Sequence, residues 1–159
     1  MKSMWSYEYP IGAISIVEED GAITRAFMGR GNKSKSDKSD IALRETPLIK
    51  KAAKQLGEYF AGRRKVFDLP LAPRGTAFQQ DVWKAVQAIE SGATRSYKEI
   101  AELVGRPAAS RAVGMANGRN PLIVIIPCHR VVGQDGSLTG YAGGLDAKRF
   151  LLDLEKRHA

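Results

Sequence analysis

At 159 residues, with 43% apolar and 26% charged side chains, the chain is long enough for one substantial core or two small ones and has an ordinary globular composition. No stretch reaches the apolar length of a membrane span, Met1 to Trp5 runs into charged and aromatic residues instead of a secretory apolar core, and a single cysteine excludes both an internal disulfide and a cysteine-built metal site. These features predict a cytoplasmic protein whose thiol stays reduced, and a net charge of +8 with a pI near 9.7 favours an anionic partner such as nucleic acid.

The charge does not locate a site, because residues 1–74 hold 14 basic and 9 acidic side chains while residues 75–159 hold 11 and 8. From the N-terminus, Trp5 to Tyr9, Ala13 to Val17 and Ala22 to Met28 are short strand-like segments, separated by Pro10-Ile11-Gly12 and an acidic Glu18-Glu19-Asp20-Gly21 turn. That is the pattern of an antiparallel meander. Gly29 to Asp40, rich in Gly, Ser and Lys, reads as a solvated surface loop. Pro47 to Phe60 then places Leu48, Ile49, Ala52, Ala53, Leu56, Tyr59 and Phe60 on one helical face.

Two prolines and a glycine in Leu69 to Gly75 mark a linker, so the expected boundaries are 1–72 for a small sheet carrying a helix and 75–159 for a helical region. Thr76 can cap a helix containing Phe78, Val82, Trp83, Val86 and Ile89. A second helix is predicted from Ser96 to Val104, stopped by Gly105, and a third from Pro107, suited to a first helical turn, to Gly118. A tight turn between two short helices suggests a helix-turn-helix. The third helix is rich in small residues (Ala108, Ala109, Ala112, Gly114, Ala116), which suit close approach either to a nucleic-acid groove or to another helix. Arg111 is correspondingly either a groove-entering cation or a surface arginine.

The apolar run Leu122-Ile123-Val124-Ile125-Ile126 reads as a short buried strand ended by Pro127, with Cys128 at its exit. A lone thiol there is either a small core residue or a nucleophile, and the neighbouring His129 by itself is weak evidence for the second case. In a last helix from Asp146 to about Arg157, Ala147, Leu151 and Leu154 form an apolar stripe beside which Glu155 lies. Glu155 can point inward, or pair at the surface with Lys148, Lys156 or Arg157.

Arg111-Ala112-Val113-Gly114, Asn120-Pro121, Pro127-Cys128-His129-Arg130-Val131 and Gly140-Tyr141-Ala142-Gly143-Gly144-Leu145 occur in the order that resembles the O6-alkylguanine-DNA alkyltransferases. The resemblance is strong over residues 75–157; before that it rests on Tyr9-Pro10-Ile11-Gly12 and Tyr59-Phe60-Ala61-Gly62. It implies an α+β protein with an N-terminal antiparallel sheet and helix and a C-terminal winged-helix or helix-turn-helix-like catalytic domain. It implies a DNA repair activity in which Cys128 irreversibly takes the alkyl group from an O6-alkylguanine flipped out of duplex DNA, one turnover per molecule.

The same resemblance makes His129 the base acting through a bound water, Glu155 the group that orients it, Tyr97 the donor to guanine N3, and Asn120 the residue tying the third helix to the cysteine segment. It assigns Val131, Tyr141, Ala142 and Gly143 to the substrate pocket. Arg111 becomes the residue that fills the vacated stack, and Ser96, Ala109, Ser110, Asn117, Arg119 and Arg130 join it as DNA contacts. Family members with a zinc site hold it with cysteine and histidine ligands; here only His129 and His158 remain beside Cys128, so neither metal nor cofactor is expected. The partner is double-stranded DNA containing O6-alkylguanine, with no membrane association and a monomeric state. Two other classes stay open: a non-catalytic alkyl-lesion sensor, which would lack the nucleophile, and a helix-turn-helix transcription regulator, which would need no Cys-His-Glu set.

Overall fold

The computed structural model describes residues 1–31 and 41–159; most of the Lys/Ser-rich segment expected to be a surface loop lies outside these. The chain divides into two compact units, Met1–Pro73 and Arg74–Ala159.

In the first unit, β1 (Lys2–Tyr9), β2 (Gly12–Glu19) and β3 (Ala22–Met28) form the antiparallel meander. Asp20 and Gly21 between β2 and β3 have φ of 52° and 81°, the paired positive values of a tight hairpin turn that Asp-Gly adopts readily. A fourth strand, β4 (Ile41–Leu43), pairs parallel with β1, giving the order β3-β2-β1-β4. This parallel edge makes the sheet mixed, which the alternation pattern did not reveal. Helix α1 (Pro47–Phe60) starts where Thr46 accepts a hydrogen bond from Ile49 N and Pro47 fits the first turn. It packs on β1 and β2, and Ile49 and Leu56 of the helix and Ile14 and Ile16 of β2 are fully buried. Met4, Val17 and Ile41, with Phe27 against them, form a separate apolar cluster. Part of the expected linker belongs to this unit: Ile23 N donates to Pro70 O and Ala72 N donates to Ile23 O, so the segment is bridged to β3.

The second unit is mostly helical. α2 (Ala77–Gln87) opens with a reciprocal cap between Thr76 and Gln79, and α3 (Tyr97–Leu103) with the same device between Ser96 and Glu99. α3 ends at Gly105, whose φ of 77° suits a residue without Cβ. α4 (Ser110–Gly118) starts three residues later than the proline predicts, because Pro107 and Ala108 form a turn and Ala109 offers no capping side chain. The indole Nε1 of Trp83 on α2 donates to Ala116 O on α4 at 2.9 Å, fixing the helix-turn-helix against α2. Two residues of β5 (Arg95–Ser96) pair parallel with β6 (Val131–Val132), and α5 (Leu145–Arg157) closes the unit.

The apolar run before the cysteine is not a strand. Residues 122–126 form a compact buried turn, with Ile126 N donating to Leu122 O at 2.9 Å and Val124 at φ 69°. Positive φ is strained for a β-branched residue and persists only where the surroundings enforce it.

Candidate active site

Asn120 enforces that turn. Its Oδ1 accepts from Leu122 N at 2.9 Å, and its Nδ2 donates to Ile126 O at 2.7 Å and more weakly to Leu122 O at 3.3 Å. One amide side chain thus replaces the ladder partners that a strand would have needed. The chain leaves the turn through Pro127 into a single 3-10 turn, Cys128–Arg130, followed directly by β6. Asn117, at the end of α4, donates from Nδ2 to Cys128 O at 3.2 Å. Asn120, just after α4, ties the third helix to the cysteine segment through the turn it shapes, and Asn117 adds a second tie.

Glu155 on α5 is 2% exposed and points into the unit, opposite to a surface pairing with Lys156 or Arg157. His129, fully buried, donates from Nε2 to Glu155 Oε2 at 2.6 Å. Arg130 completes the array: Nε reaches Glu155 Oε1 at 2.8 Å, a terminal nitrogen reaches Oε2 at 2.9 Å, and the other terminal nitrogen donates to Ile89 O at 2.6 Å. This two-pronged pairing compensates a carboxylate held out of water. Burial pushes the Glu155 carboxyl up, but the hydrogen bonds and charges of His129 and Arg130 outweigh it and hold the pKa down at about 2. Burial pulls His129 down despite the opposing carboxylate, so at neutral pH the ring is uncharged, with its proton on Nε2. Its Nδ1 lone pair is buried without a hydrogen-bond partner among the described residues, which is the state of a base awaiting a proton.

Cys128 is buried yet lines a small cleft together with Asn117, Ile123, Gly140, Tyr141 and Ala142. Burial pushes its thiol up, and the Asn120 amide and the Lys148 ammonium act against that. Lys148 is the functional residue that sequence reasoning missed, having been considered only as a surface partner for Glu155. It has no exposed surface; its Nζ donates to Val131 O at 2.7 Å and to Thr139 O at 2.8 Å, anchoring the loop that carries Tyr141 over the cleft. Burial lowers its pKa, and the neighbouring thiol acts in the opposite sense. The helical spacing of Lys148, Leu151 and Glu155 on one face was the available signal.

Of the other expected residues, Tyr97 is half-buried at the start of α3, its hydroxyl 2.8 Å from Thr139 Oγ1. Tyr141 sets its ring edge-on to His129, with centroids 6.3 Å apart, and Gly143 leaves room for that ring, since a Cβ there would lie 3.2 Å from it. Arg111 and Arg119 are exposed on and just after α4, and Ala109 and Ser110 are partly exposed at its start. Four of the expected residues are buried in this structure. Arg130 cannot contact DNA, because its guanidinium is buried against Glu155 and Ile89. Ser96 is buried as the cap of α3, its hydroxyl accepting from Glu99 N. Asn117 is buried and bound to Cys128 O, not turned toward a groove. Val131 is fully buried in β6, and its carbonyl, bound by Lys148, is its polar contribution.

A helix-turn-helix in the same compact unit as a cleft with a cysteine, a neutral imidazole and a charge-compensated carboxylate defines a DNA-directed protein with a nucleophilic thiol. Comparison with known proteins makes this particular. The 6-O-methylguanine DNA methyltransferase DNA-binding domain matches residues 77–157, and the ribonuclease-like domain of the same proteins matches residues 5–73. A methylated-DNA--protein-cysteine methyltransferase of Methanosarcina acetivorans is 48% identical over 149 residues, 94% of this chain and 95% of the relative. The constitutive one of Bacillus subtilis is 48% identical over 152 residues, 94% and 92% of the two chains. The crystal structure of Mycobacterium tuberculosis OGT in complex with DNA superposes with a TM-score of 0.88 at 44% identity, covering 99% of this chain and 94% of that one. The chain belongs to the 6-O-methylguanine DNA methyltransferase family.

Proposed function

We propose that this protein repairs DNA by taking the alkyl group of O6-alkylguanine onto Cys128, once per molecule. The observation that carries the reading is the buried His129–Glu155 pair next in the chain to Cys128, which lines the cleft. In this mechanism His129 Nδ1 accepts the thiol proton through a water, and the resulting imidazolium is compensated by Glu155. Sulfur forms a bond to the alkyl carbon as the carbon–O6 bond breaks, and the electron pair passes into the purine. Tyr97 donates a hydrogen bond to guanine N3, stabilising the leaving base. The thioether is not readily hydrolysed, which makes the reaction stoichiometric, with no cofactor.

The target atom lies within a stacked duplex, so the nucleotide must be extruded first. We assign that step to the helix-turn-helix, with Arg111 filling the vacated stack and Ala109, Ser110 and Arg119 near the backbone. Minor-groove reading discriminates bases poorly, which suits a lesion possible at any guanine. Residues 1–72 support the catalytic unit, residues 75–159. The protein works as a monomer in the cytoplasm; among the described residues no helix is long and apolar enough to cross a membrane. Duplex DNA carrying radiolabelled O6-methylguanine tests the reading: one label per protein is expected, and none on Cys128→Ala. Labelling that survives in Cys128→Ala, or DNA binding without transfer in the unaltered protein, overturns it.

A further inference from the structure

We infer that Asn117 sets which alkyl groups the cleft accepts, favouring a substituent that carries a hydroxyl over one of equal length that does not. The inference rests on the reading of the cleft as the alkyl-acceptor site. The orientation of the Asn117 amide is determined by its partner: Cys128 O can only accept, so the atom 3.2 Å from it is Nδ2. Oδ1 is then the remaining polar atom, and it is buried with no hydrogen-bond partner among the described residues. The residue is 5% exposed and lines the same cleft as Cys128.

A buried carbonyl oxygen left unpaired is rare and calls for a donor from elsewhere. The Asn120 amide cannot serve in its place, since both of its polar atoms hold the 122–126 turn. A methyl or propyl group offers no donor, and filling the cleft with propyl keeps Oδ1 away from water unpaired. A 2-hydroxyethyl group has the length of propyl and one O–H to donate. A site with a buried acceptor discriminates against an analogue that lacks the matching donor.

The test compares single-turnover transfer from duplexes carrying O6-methyl-, O6-propyl- and O6-(2-hydroxyethyl)guanine, each rate divided by that of the same modified nucleoside with a free thiolate. The unaltered protein is expected to favour hydroxyethyl over propyl by about tenfold, the size of one net hydrogen bond. In Asn117→Leu, close in shape and without the oxygen, the ratio is expected to fall to about one. A ratio that Asn117→Leu leaves unchanged overturns the inference. Should that variant not fold, the unaltered protein decides alone, and a ratio at or below one overturns the inference. Absence of methyl transfer would instead sink the reading of the cleft itself, whereas methyl transfer with equal propyl and hydroxyethyl rates sinks only the role of Asn117.

Discussion

Among the described residues, the sheet unit buries apolar side chains and a few neutral polar ones, namely Ser3, Ser15, Thr24, Thr46 and Gln55. The helical unit buries His129, Arg130, Lys148 and Glu155 beside its cysteine. Ionisable groups taken out of water cost more than apolar residues of the same volume, even when they are paired. The second unit therefore carries an energetic cost the first does not, holding a neutral base, a carboxylate and an ammonium near one thiol. Burial of ionisable side chains separates the two units.

Removing one member of the charged array should show the contrast most strongly. Glu155→Gln leaves Arg130 without its counter-charge and His129 without its orienting partner. It should cost about 3–5 kcal/mol in denaturant unfolding of the second unit. Single-turnover transfer, measured on the fraction still folded, should fall by about a hundredfold or more. Unchanged transfer would show that the array is structural only. In the sheet unit, Leu56→Ala removes a fully buried side chain and should cost about 2–5 kcal/mol, with transfer per folded molecule retained. A transfer rate that fell along with stability would break the division of labour.

The pH dependence sharpens the same comparison. His129 and Glu155 both have folded pKa values below their unfolded ones, so the unfolded chain binds more protons and acid favours it. Stability of the second unit should decline as pH falls below the ordinary histidine range, and further between about 4.5 and about 2 as Glu155 protonates. Chemical denaturation followed by fluorescence in a Trp5→Phe background, where Trp83 is the remaining tryptophan, checks it across this range; a flat profile would contradict the charge assignments. The smallest effect on stability is expected at Arg111, exposed on α4: Arg111→Ala should change it by no more than about 0.5 kcal/mol. The same change should slow transfer from duplex DNA while leaving transfer from free O6-benzylguanine largely intact. Equal losses on both substrates would remove Arg111 from the extrusion step.

Much of the architecture was legible because local chemistry marks it. Thr46-Pro47 and the apolar spacing of Ile49, Ala52, Leu56 and Tyr59 define α1, and Thr76 and Ser96 announce α2 and α3 through caps that need only residues three positions away. The run Leu122 to Ile126 was not legible, because a segment buried on every side carries no period to distinguish strand from turn. β4 is three residues long, too short for alternation, and its pairing depends on the distant β1. Ser96 announced its helix but not its burial, and the family resemblance makes Arg130 and Asn117 DNA contacts although they are buried, because a motif does not show which way a side chain faces.

The order of motifs around Cys128, through the family it resembles, implied the chemistry available here, since a nucleophile, a base and a carboxylate are properties of side chains; the residues alone left Cys128 open between core and nucleophile. Tertiary structure decided their states and directions. The enclosure of His129, within the 3-10 turn, against α5 strips its charge, Arg130 is drawn inward to balance Glu155, and Lys148 is turned from a surface cation into the anchor of the cleft loop. Solvation and pairing energies depend on distances between segments far apart in the chain, so they exist only once the chain has folded.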